Sequence, residues 1–274
     1  MPNRPPVALT IAGSDSGGGA GIQADLKTFA SLGVFGCSVI TSLTAQNTVG
    51  VSAIHDPPPE FIARQLDAIF EDIPVDAAKT GMLHTKEAIE AVADRIKRYG
   101  IERLVVDPVM IATSGDRLLE EGAVRALIEK LLPLALIVTP NLPEAEALSG
   151  MRIETPSDAE RAAERIRSLG PRYVLIKGGH MEGERAIDLL FDGEGFHRVE
   201  SERVEKGRLH GTGCVLSAAI TAYLAKGFSP LQSVRKAKEY VLSAIKLSFP
   251  LGKGSLVLGW GCLKTKELEG RGCA

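Results

Sequence analysis

No excess of charge of either sign marks this chain of 274 residues, whose formal net charge is −2 at pH 7. Because a basic stripe is missing, the sequence argues against nucleic acid or an anionic membrane surface as a partner. Its longest apolar stretches, such as residues 134–138, are far too short to cross a bilayer as a helix. The composition, with 45% hydrophobic and 24% charged residues, is that of an ordinary globular protein.

Cysteine is scarce and scattered. Its positions, Cys37, Cys214, Cys262 and Cys273, have neither the spacing of a metal site nor that of a disulfide framework. The opening residues 1–6 lack the apolar core of a signal peptide. We therefore expect a cytoplasmic protein.

Short β-rich segments alternate with longer segments of helical periodicity. A strand over residues 7–11 precedes a helix over residues 21–30, and the continuous apolar run at residues 104–106 is typical of a buried parallel strand. Long helices are predicted over residues 214–226 and 230–249. This alternation predicts an α/β fold in which helices cover both faces of a mostly parallel sheet. Since no segment resembles an interdomain linker, we expect a single domain.

Polar clusters directly follow several of the predicted strands. They are GSD (13–15), DPVM (107–110), TPNLPE (139–144) and KGGH (177–180). Ligands bind beyond the carboxyl ends of the strands in parallel sheets. We therefore expect these clusters to meet at one edge of the sheet and to form a site.

The motif HGTGC (210–214) opens directly into an apolar run. Closely spaced glycines at a helix start expose backbone N–H groups, which with the helix dipole form an anion site. Gly211 and Gly213 are therefore candidates to hold a phosphoryl group during transfer. The helix N-terminus is expected to lower the pKa of Cys214 below about 8.5, which suits this thiol to accept a proton. Packing glycines and a small core cysteine are the alternative.

Side chains suited to Mg²⁺ and to phosphate are found after the later strands. Asp107, Asn141 and Glu144 supply oxygen donors, and the last two are spaced to face one ion. Alternatively, Asn141 caps a helix and Glu144 is its capping-box partner. Lys177 is placed to meet nucleotide phosphates, although an exposed lysine at a strand end is the common alternative. This set predicts transfer of a phosphoryl group from ATP.

Several longer motifs contain these residues. They are IAGSDSGGGAGIQAD (11–25), TAQNT (44–48), KTGML (79–83), DPVM (107–110), TPNLPEA (139–145), KGGH (177–180) and HGTGC (210–214). In this order and spacing, the chain resembles the hydroxymethylpyrimidine/phosphomethylpyrimidine kinases of thiamine biosynthesis, a branch of the ribokinase superfamily. The resemblance extends over about residues 7–254.

The resemblance implies a three-layer αβα ribokinase-like fold with a small β lid around residues 33–54, and a homodimer. It implies a kinase dependent on ATP and Mg²⁺, with a small aminopyrimidine alcohol as substrate. Such an enzyme phosphorylates the 5-hydroxymethyl group and then phosphorylates the monophosphate again. A pyridoxal kinase of the same superfamily is the nearest alternative. A non-catalytic pyrimidine-binding sensor is a more distant one.

The resemblance also implies roles for individual residues. Gln46 would read the pyrimidine edge, Asp107 and Glu144 would hold the metal, and Cys214 would be the catalytic base beside Gly211 and Gly213. The remaining residues of the substrate pocket would be Gly13, Ala20, Asp25, Met82 and Val109. Contacts with the nucleotide would come from Lys177, Asn141 and Thr212.

Two segments depart from the family pattern. In ATSG (112–115), threonine stands where the family has lysine, and SLVLGWG (255–261) replaces a stretch rich in His, Gly, Pro and Asn. We therefore assign residues 1–254 to the kinase domain and residues 255–274 to a divergent tail. The end of that tail, residues 267–274, is charged and rich in glycine, so we expect it to be loosely ordered.

Overall fold

A large sheet forms the centre of the molecule. The computed structural model describes residues 4–110, 119–120, 122–178 and 185–260. Within them the sheet order is β3-β2-β1-β4-β5-β6-β7-β8-β9. The strands are β1 (Val7–Asp15), β2 (Phe35–Gln46), β3 (Val51–His55), β4 (Ala77–Thr80), β5 (Leu104–Val106), β6 (Ile137–Val138), β7 (Tyr173–Ile176), β8 (Arg185–Phe191) and β9 (Phe196–Glu202). Two further short strands, β10 (Leu209–His210) and β11 (Leu256–Val257), pair with each other in parallel.

The central strands of the sheet are parallel, as predicted. Strands β2, β1, β4, β5, β6 and β7 pair in parallel, whereas β3, β8 and β9 add to the two edges in antiparallel fashion. Because the central strands run in the same direction, their carboxyl ends share one edge. The polar clusters at residues 13–15, 107–110, 139–144 and 177–178 lie there.

Helices cover both faces of the sheet. They are α1 (Gly21–Ser31), α2 (Pro59–Phe70), α3 (Lys86–Arg98), α4 (Ala123–Ala126), α5 (Leu142–Ser149), α6 (Pro156–Arg167), α7 (Thr212–Ala225) and α8 (Pro230–Lys246). Alternate residues of one strand belong to different cores: Leu104 and Val106 pack with α2 to α6, and Val105 packs with α1, α7 and α8. The predicted three-layer αβα arrangement is therefore confirmed. None of the described helices is both long and apolar enough to span a membrane.

Helix α7 is the most deeply buried helix of the fold. Nearly every residue from Val215 to Ala225 is buried, because α1 and α8 pack beside the helix and the sheet lies beneath it. Such all-round burial explains why its sequence is apolar without an amphipathic stripe. The helix carries the HGTGC motif at its N-terminus and directs that motif to the carboxyl edge of the sheet.

The predicted lid around residues 33–54 is part of the main sheet. Strand β2 pairs with β1 from Phe35 to Thr44 and with β3 from Leu43 to Gln46. One long strand thus belongs both to the domain core and to the partly exposed edge formed with β3. The lid is therefore an extension of the central sheet rather than a separate sheet.

The predicted domain boundary after residue 254 is wrong. Leu258 is 0% and Trp260 is 2% exposed, and both pack in the core that contains α7. The indole Nε1 of Trp260 donates a hydrogen bond of 3.2 Å to Thr28 Oγ1 of α1. The domain therefore includes residues 255–260, and the predicted loose segment at residues 267–274 lies outside the described residues.

Replacing Trp260 with alanine should destabilise the domain. Removing this buried side chain leaves a cavity and takes away the indole donor of Thr28 Oγ1, so we expect a loss of about 3–5 kcal/mol in the free energy of unfolding. Urea denaturation measures this loss. Leu251→Ala is the control, because Leu251 is 65% exposed and its truncation should change stability by less than about 0.5 kcal/mol. Equal effects of the two substitutions would contradict the core position of Trp260.

Candidate active site

The loop that precedes α7 brings two glycine-rich segments into contact. Gly211 adopts a left-handed conformation with φ of 84°, and a Cβ atom there would overlap the carbonyl oxygen of Gly19. Only glycine fits this position. Because Gly211 has no side chain to cap α7, the first N–H groups of the helix are left for an anion. The predicted anion site at Gly211 and Gly213 therefore has the required backbone arrangement.

Asp107 is the centre of a buried polar cluster beside this loop. The carboxylate follows β5 and is 2% exposed. Its Oδ1 accepts hydrogen bonds from Lys177 Nζ at 3.0 Å and Thr139 Oγ1 at 3.2 Å, and its Oδ2 accepts one from Ser217 Oγ at 3.1 Å. Lys177 Nζ also lies 3.8 Å from Glu144 Oε2. The cluster thus combines two carboxylates with one shared cation.

The charges of this cluster follow from its burial and its ion pairs. Burial acts to raise the pKa of Asp107, but Lys177 and Lys79 outweigh it and hold that pKa below its usual range. Burial likewise opposes the charge of Lys177, yet Asp107 and Glu144 raise the pKa of the ammonium group. Asp107 is therefore a carboxylate and Lys177 a cation at neutral pH.

Asn141 and Glu144 form a capping box at the start of α5. Asn141 Oδ1 accepts from the backbone N–H of Glu144, and Glu144 Oε2 accepts from the backbone N–H of Asn141, both at 2.8 Å. The capping interpretation is therefore confirmed. The same carboxylate still faces Lys177, and burial raises its pKa against the attraction of that lysine. Capping positions Glu144 in the cluster without removing it from the site.

The anion loop and the Asp107 cluster meet at Gly213. A Cβ atom at Gly213 would lie 3.4 Å from Lys177 Nζ and 3.8 Å from Asp107 Oδ2. Thr212, the first residue of α7, is partly exposed beside it. The predicted phosphate, metal and nucleotide residues are thus brought together at one point of the sheet edge.

The predicted low pKa of Cys214 is wrong. Burial raises the pKa of this thiol to about 11, although the positive charge of Lys79 and a hydrogen bond from the Gly21 backbone act in the opposite direction. Position at a helix N-terminus does not compensate for the loss of water around the sulfur. Cys214 is therefore a neutral thiol at pH 7 in the free protein.

Gly13 and Met82 lie together, as expected for two walls of one pocket. A Cβ atom at Gly13 would be 3.2 Å from Met82 Sδ, so a larger residue would displace the methionine. Val109 is partly exposed, and its backbone N–H donates to the Asp107 carbonyl at 2.9 Å. Ala20 immediately precedes α1 and is also partly exposed. Of these four positions, Val109 thus contacts the Asp107 backbone, and Ala20 belongs to the glycine-rich loop, where its N–H donates to Asp15.

Gln46 and Asp25 differ in their access to this pocket. Gln46 ends β2 and is partly exposed, with its side chain between Thr44 and His210. Asp25 is 0% exposed, and its carboxylate bonds to Thr10 Oγ1 and Lys79 Nζ. The carboxylate of Asp25 is therefore inaccessible to a ligand, contrary to the prediction that it lines the surface of the substrate pocket.

Several buried polar side chains without a sequence-predicted role lie beside the Asp107 cluster and the glycine-rich loop. Lys79 is fully buried and bonds to both carboxylate oxygens of Asp25, at 3.0 and 2.9 Å. Asp15 and His210 form a buried pair, with His210 Nε2 at 2.9 Å from Asp15 Oδ2. All three lie inside recognised motifs, which was the available signal. Ser217 lies one helical turn beyond Gly213, and only the helical register could have indicated its contact with Asp107.

Among residues 4–110, 119–120, 122–178 and 185–260, no group of three or more His, Cys, Asp and Glu is arranged to hold a metal. Protein side chains of this part therefore do not form a closed metal cage. The substituted threonine in ATSG (112–115) and the histidine in KGGH (177–180) lie outside the described residues.

Comparison with known proteins gives consistent matches over most of the chain. The sequence profile of the phosphomethylpyrimidine kinase family matches residues 15–259. A hydroxymethylpyrimidine/phosphomethylpyrimidine kinase of Rhizobium meliloti is 54% identical over 251 residues, covering 90% of this chain and 94% of the relative. The thiamine biosynthesis bifunctional protein of Geobacter sulfurreducens is 54% identical over 246 residues, but only 50% of its length is matched by 90% of this chain.

A solved structure confirms the fold class. The ADP complex of a Bacillus subtilis pyridoxal kinase has a TM-score of 0.88 and 42% sequence identity with this chain. The match covers 96% of this chain and 100% of that one. The ribokinase-like architecture predicted from the sequence is therefore confirmed over nearly the whole chain.

Replacing Lys79 with methionine should strongly destabilise the protein. The change leaves the carboxylate of Asp25 buried without its cation, so we expect a loss of about 3–5 kcal/mol in the free energy of unfolding. Chemical denaturation checks the loss. Lys86→Met is the matched control, because Lys86 and Glu90 form an exposed pair at 3.7 Å that contributes less than about 1 kcal/mol. A Lys79→Met variant as stable as the control would disprove the importance of the buried pair.

Proposed function

This chain belongs to the phosphomethylpyrimidine kinase family, and we propose that the site around Asp107, Lys177 and Cys214 carries out its phosphoryl transfer. The chain is a phosphotransferase of thiamine biosynthesis. It phosphorylates 4-amino-5-hydroxymethyl-2-methylpyrimidine and then converts the monophosphate to the diphosphate. The chain is 54% identical to a relative named for both pyrimidine kinase activities and 42% identical to a pyridoxal kinase. This difference supports the pyrimidine over pyridoxal as the substrate.

One observation carries the assignment of the site. The bare helix N-terminus at Gly211 to Gly213 lies against Lys177 and Asp107. A Cβ atom added at Gly213 would be 3.4 Å from Lys177 Nζ and 3.8 Å from Asp107 Oδ2. A transferring phosphoryl group needs donors for its equatorial oxygens and charge to balance them. Backbone N–H groups and the Lys177 ammonium supply both kinds of group at this point.

The chain's own residues fit a magnesium–nucleotide complex. Mg²⁺ in kinases is commonly held by one or two carboxylates together with substrate phosphates and waters. Asp107 and Glu144 offer two buried carboxylates on either side of Lys177, which matches this donor set. When bound, Mg²⁺ would neutralise charge on the phosphates. Lys177, Asn141 and Thr212 would contact the nucleotide from the same edge.

Cys214 is the proposed base of the first transfer. The substrate hydroxyl oxygen forms a bond to the γ-phosphorus while the bond to ADP breaks, and the hydroxyl proton moves to the Cys214 sulfur. Its raised pKa makes the thiolate rare at pH 7 but a strong base when present. Lys79 is the buried cation whose field opposes that raised pKa and stabilises the thiolate. The second transfer begins from a phosphate that is already ionised, so it needs no such base.

A coupled assay of ATP consumption tests the substrate. The hydroxymethylpyrimidine, its monophosphate and pyridoxal are supplied in parallel with Mg²⁺. We expect turnover of both pyrimidines and little turnover of pyridoxal. Turnover of pyridoxal alone would show that the protein is a pyridoxal kinase. No turnover of any of the three substrates would favour a non-catalytic binding sensor.

Replacing Cys214 with alanine should separate the two transfers. We expect a loss of about 10²–10⁴ in kcat for the alcohol, the usual contribution of general base catalysis, and little change for the monophosphate. In the wild-type enzyme, the rate with the alcohol should rise about tenfold per pH unit between about pH 7 and pH 9, because the thiolate fraction grows tenfold per unit below the pKa. The rate with the monophosphate should stay nearly level. Equal losses or parallel pH profiles for the two substrates would remove the base assignment.

A homodimer and a cytoplasmic location complete the proposal. Strand β3 is an edge strand, and two apolar side chains at this edge are exposed: Leu43, which pairs with β3, and Val49, which lies between β2 and β3. Exposed strand edges are normally covered, and a second copy would cover this one. Dependence on ATP and on a reduced Cys214 thiol favours the cytoplasm.

A further inference from the structure

The side-chain amide of Gln46 lies between two polar neighbours. Its Oε1 is 3.0 Å from Thr44 Oγ1, and its Nε2 is 3.3 Å from His210 Nε2. Each neighbour has a second partner: Thr44 Oγ1 lies 2.8 Å from the Ser14 carbonyl oxygen, and His210 Nε2 lies 2.9 Å from Asp15 Oδ2. The two ends of the amide are therefore part of one hydrogen-bonded chain.

On the Thr44 side, two acceptors compete for one hydroxyl proton. A threonine hydroxyl donates one hydrogen bond and accepts others. The Ser14 carbonyl oxygen and Gln46 Oε1 both only accept, so both need the single hydroxyl proton of Thr44. The hydroxyl cannot satisfy them together.

The His210 side has the opposite conflict. Burial acts to raise the pKa of Asp15, but His210 and the N–H groups of Ala20 and Gly17 outweigh it and hold that pKa below its usual range. Asp15 is therefore a carboxylate, which can only accept hydrogen bonds. His210 Nε2 must then be protonated and donate to it. That N–H then points at the NH₂ group of Gln46, which also only donates.

Turning the Gln46 amide by 180° removes the conflict at Thr44 and replaces the donor–donor contact at His210 with a donor–acceptor contact. The oxygen and nitrogen of an amide occupy nearly equivalent positions and are distinguished by their partners. After the turn, the amide nitrogen donates to Thr44 Oγ1, whose own proton goes to the Ser14 carbonyl oxygen. The amide oxygen shares the Nε2–H of His210 with Asp15 Oδ2 in a three-centre hydrogen bond. One N–H and one lone pair of the amide are still free for a ligand.

We propose that His210 and Thr44 hold the Gln46 amide in this one orientation and so determine which donor–acceptor order the site reads on the substrate ring. His210 is a positioning residue in this arrangement. Its ring is fixed, because Asp15 accepts from the backbone of Gly17, Gly19 and Ala20 at 2.8, 3.1 and 2.8 Å. A Cβ atom at Gly19 would lie 2.5 Å from His210 Cδ2, so the glycine loop closes directly on the imidazole.

The fixed amide lets a substrate ring bind in one orientation only. This inference rests on the proposed function. A 4-aminopyrimidine presents an amino donor next to a ring-nitrogen acceptor. A glutamine amide of set orientation binds this pair in one sense only, which decides where the adjacent hydroxymethyl group points. The 4-oxo analogue presents an acceptor next to a ring N–H donor, the reverse order. It should therefore be rejected as a substrate.

The test compares kcat/KM for the 4-amino alcohol and its 4-oxo analogue in wild-type enzyme and two His210 variants. Sites that hydrogen-bond their substrate reject mismatched analogues by about 10⁴–10⁵, so we expect a large ratio in wild type. His210→Leu releases the amide and should lower the ratio at least about tenfold, because Gln46 can then turn to fit either ring. His210→Gln supplies an N–H again and should restore most of the ratio. A general structural fault would reduce both substrates equally and leave the ratio unchanged, which would overturn the proposal.

A second variant keeps the test decisive if His210→Leu does not fold. Thr44→Val removes the partner on the other side of the amide in a strand position that suits valine. It should lower the same ratio, and an unchanged ratio would overturn the inference while leaving the kinase assignment intact. A wild-type enzyme that phosphorylates neither alcohol would overturn the kinase assignment and this inference together.

Discussion

The buried ion pair of Asp107 and Lys177 connects the ends of strands that are far apart in the sequence. Burying two charges costs several kcal/mol per ion before pairing, and the fold offsets this with hydroxyl donors from Thr139 and Ser217. Ser217 lies on α7, so the position of that helix determines whether Asp107 keeps this hydroxyl donor. A pair of this kind is weak evidence for stability. Under the proposed function, its presence at the carboxyl edge of the sheet matches the charge that a phosphate ester would bring.

The architecture and most of the site were predictable from the sequence. Alternating apolar periods identify parallel strands and their covering helices, and the rule for sheet edges brings Asp107, Asn141, Glu144 and Lys177 together. The glycines of HGTGC predict a bare helix start, with packing glycines as the alternative, and the left-handed φ of Gly211 agrees with the first. These inferences succeed since they depend on local chemistry and on one topological rule.

Other features depend on distant contacts that no local pattern encodes. The pKa of Cys214 is governed by how completely the surrounding elements exclude water, and this outweighs the helix terminus. The burial of Asp25 follows from Lys79, whose sequence position on β4 gives no sign that its ammonium group points inward. Residues 255–260 read as a divergent tail, yet Trp260 fills a gap beside α1. The antiparallel hairpin of β8 and β9 was not predicted either.

The bond between Trp260 and Thr28 joins residues 232 positions apart. Helix α1 emerges early during synthesis, while the side chains that complete the core around it, Leu258 and Trp260, emerge only after α7 and α8. Contacts of such long sequence separation form late and slow folding. The apolar surface of α1 and α7 therefore stays incomplete until residue 260 has left the ribosome. A nascent chain stalled before residue 258 would expose this surface and be a target for chaperones.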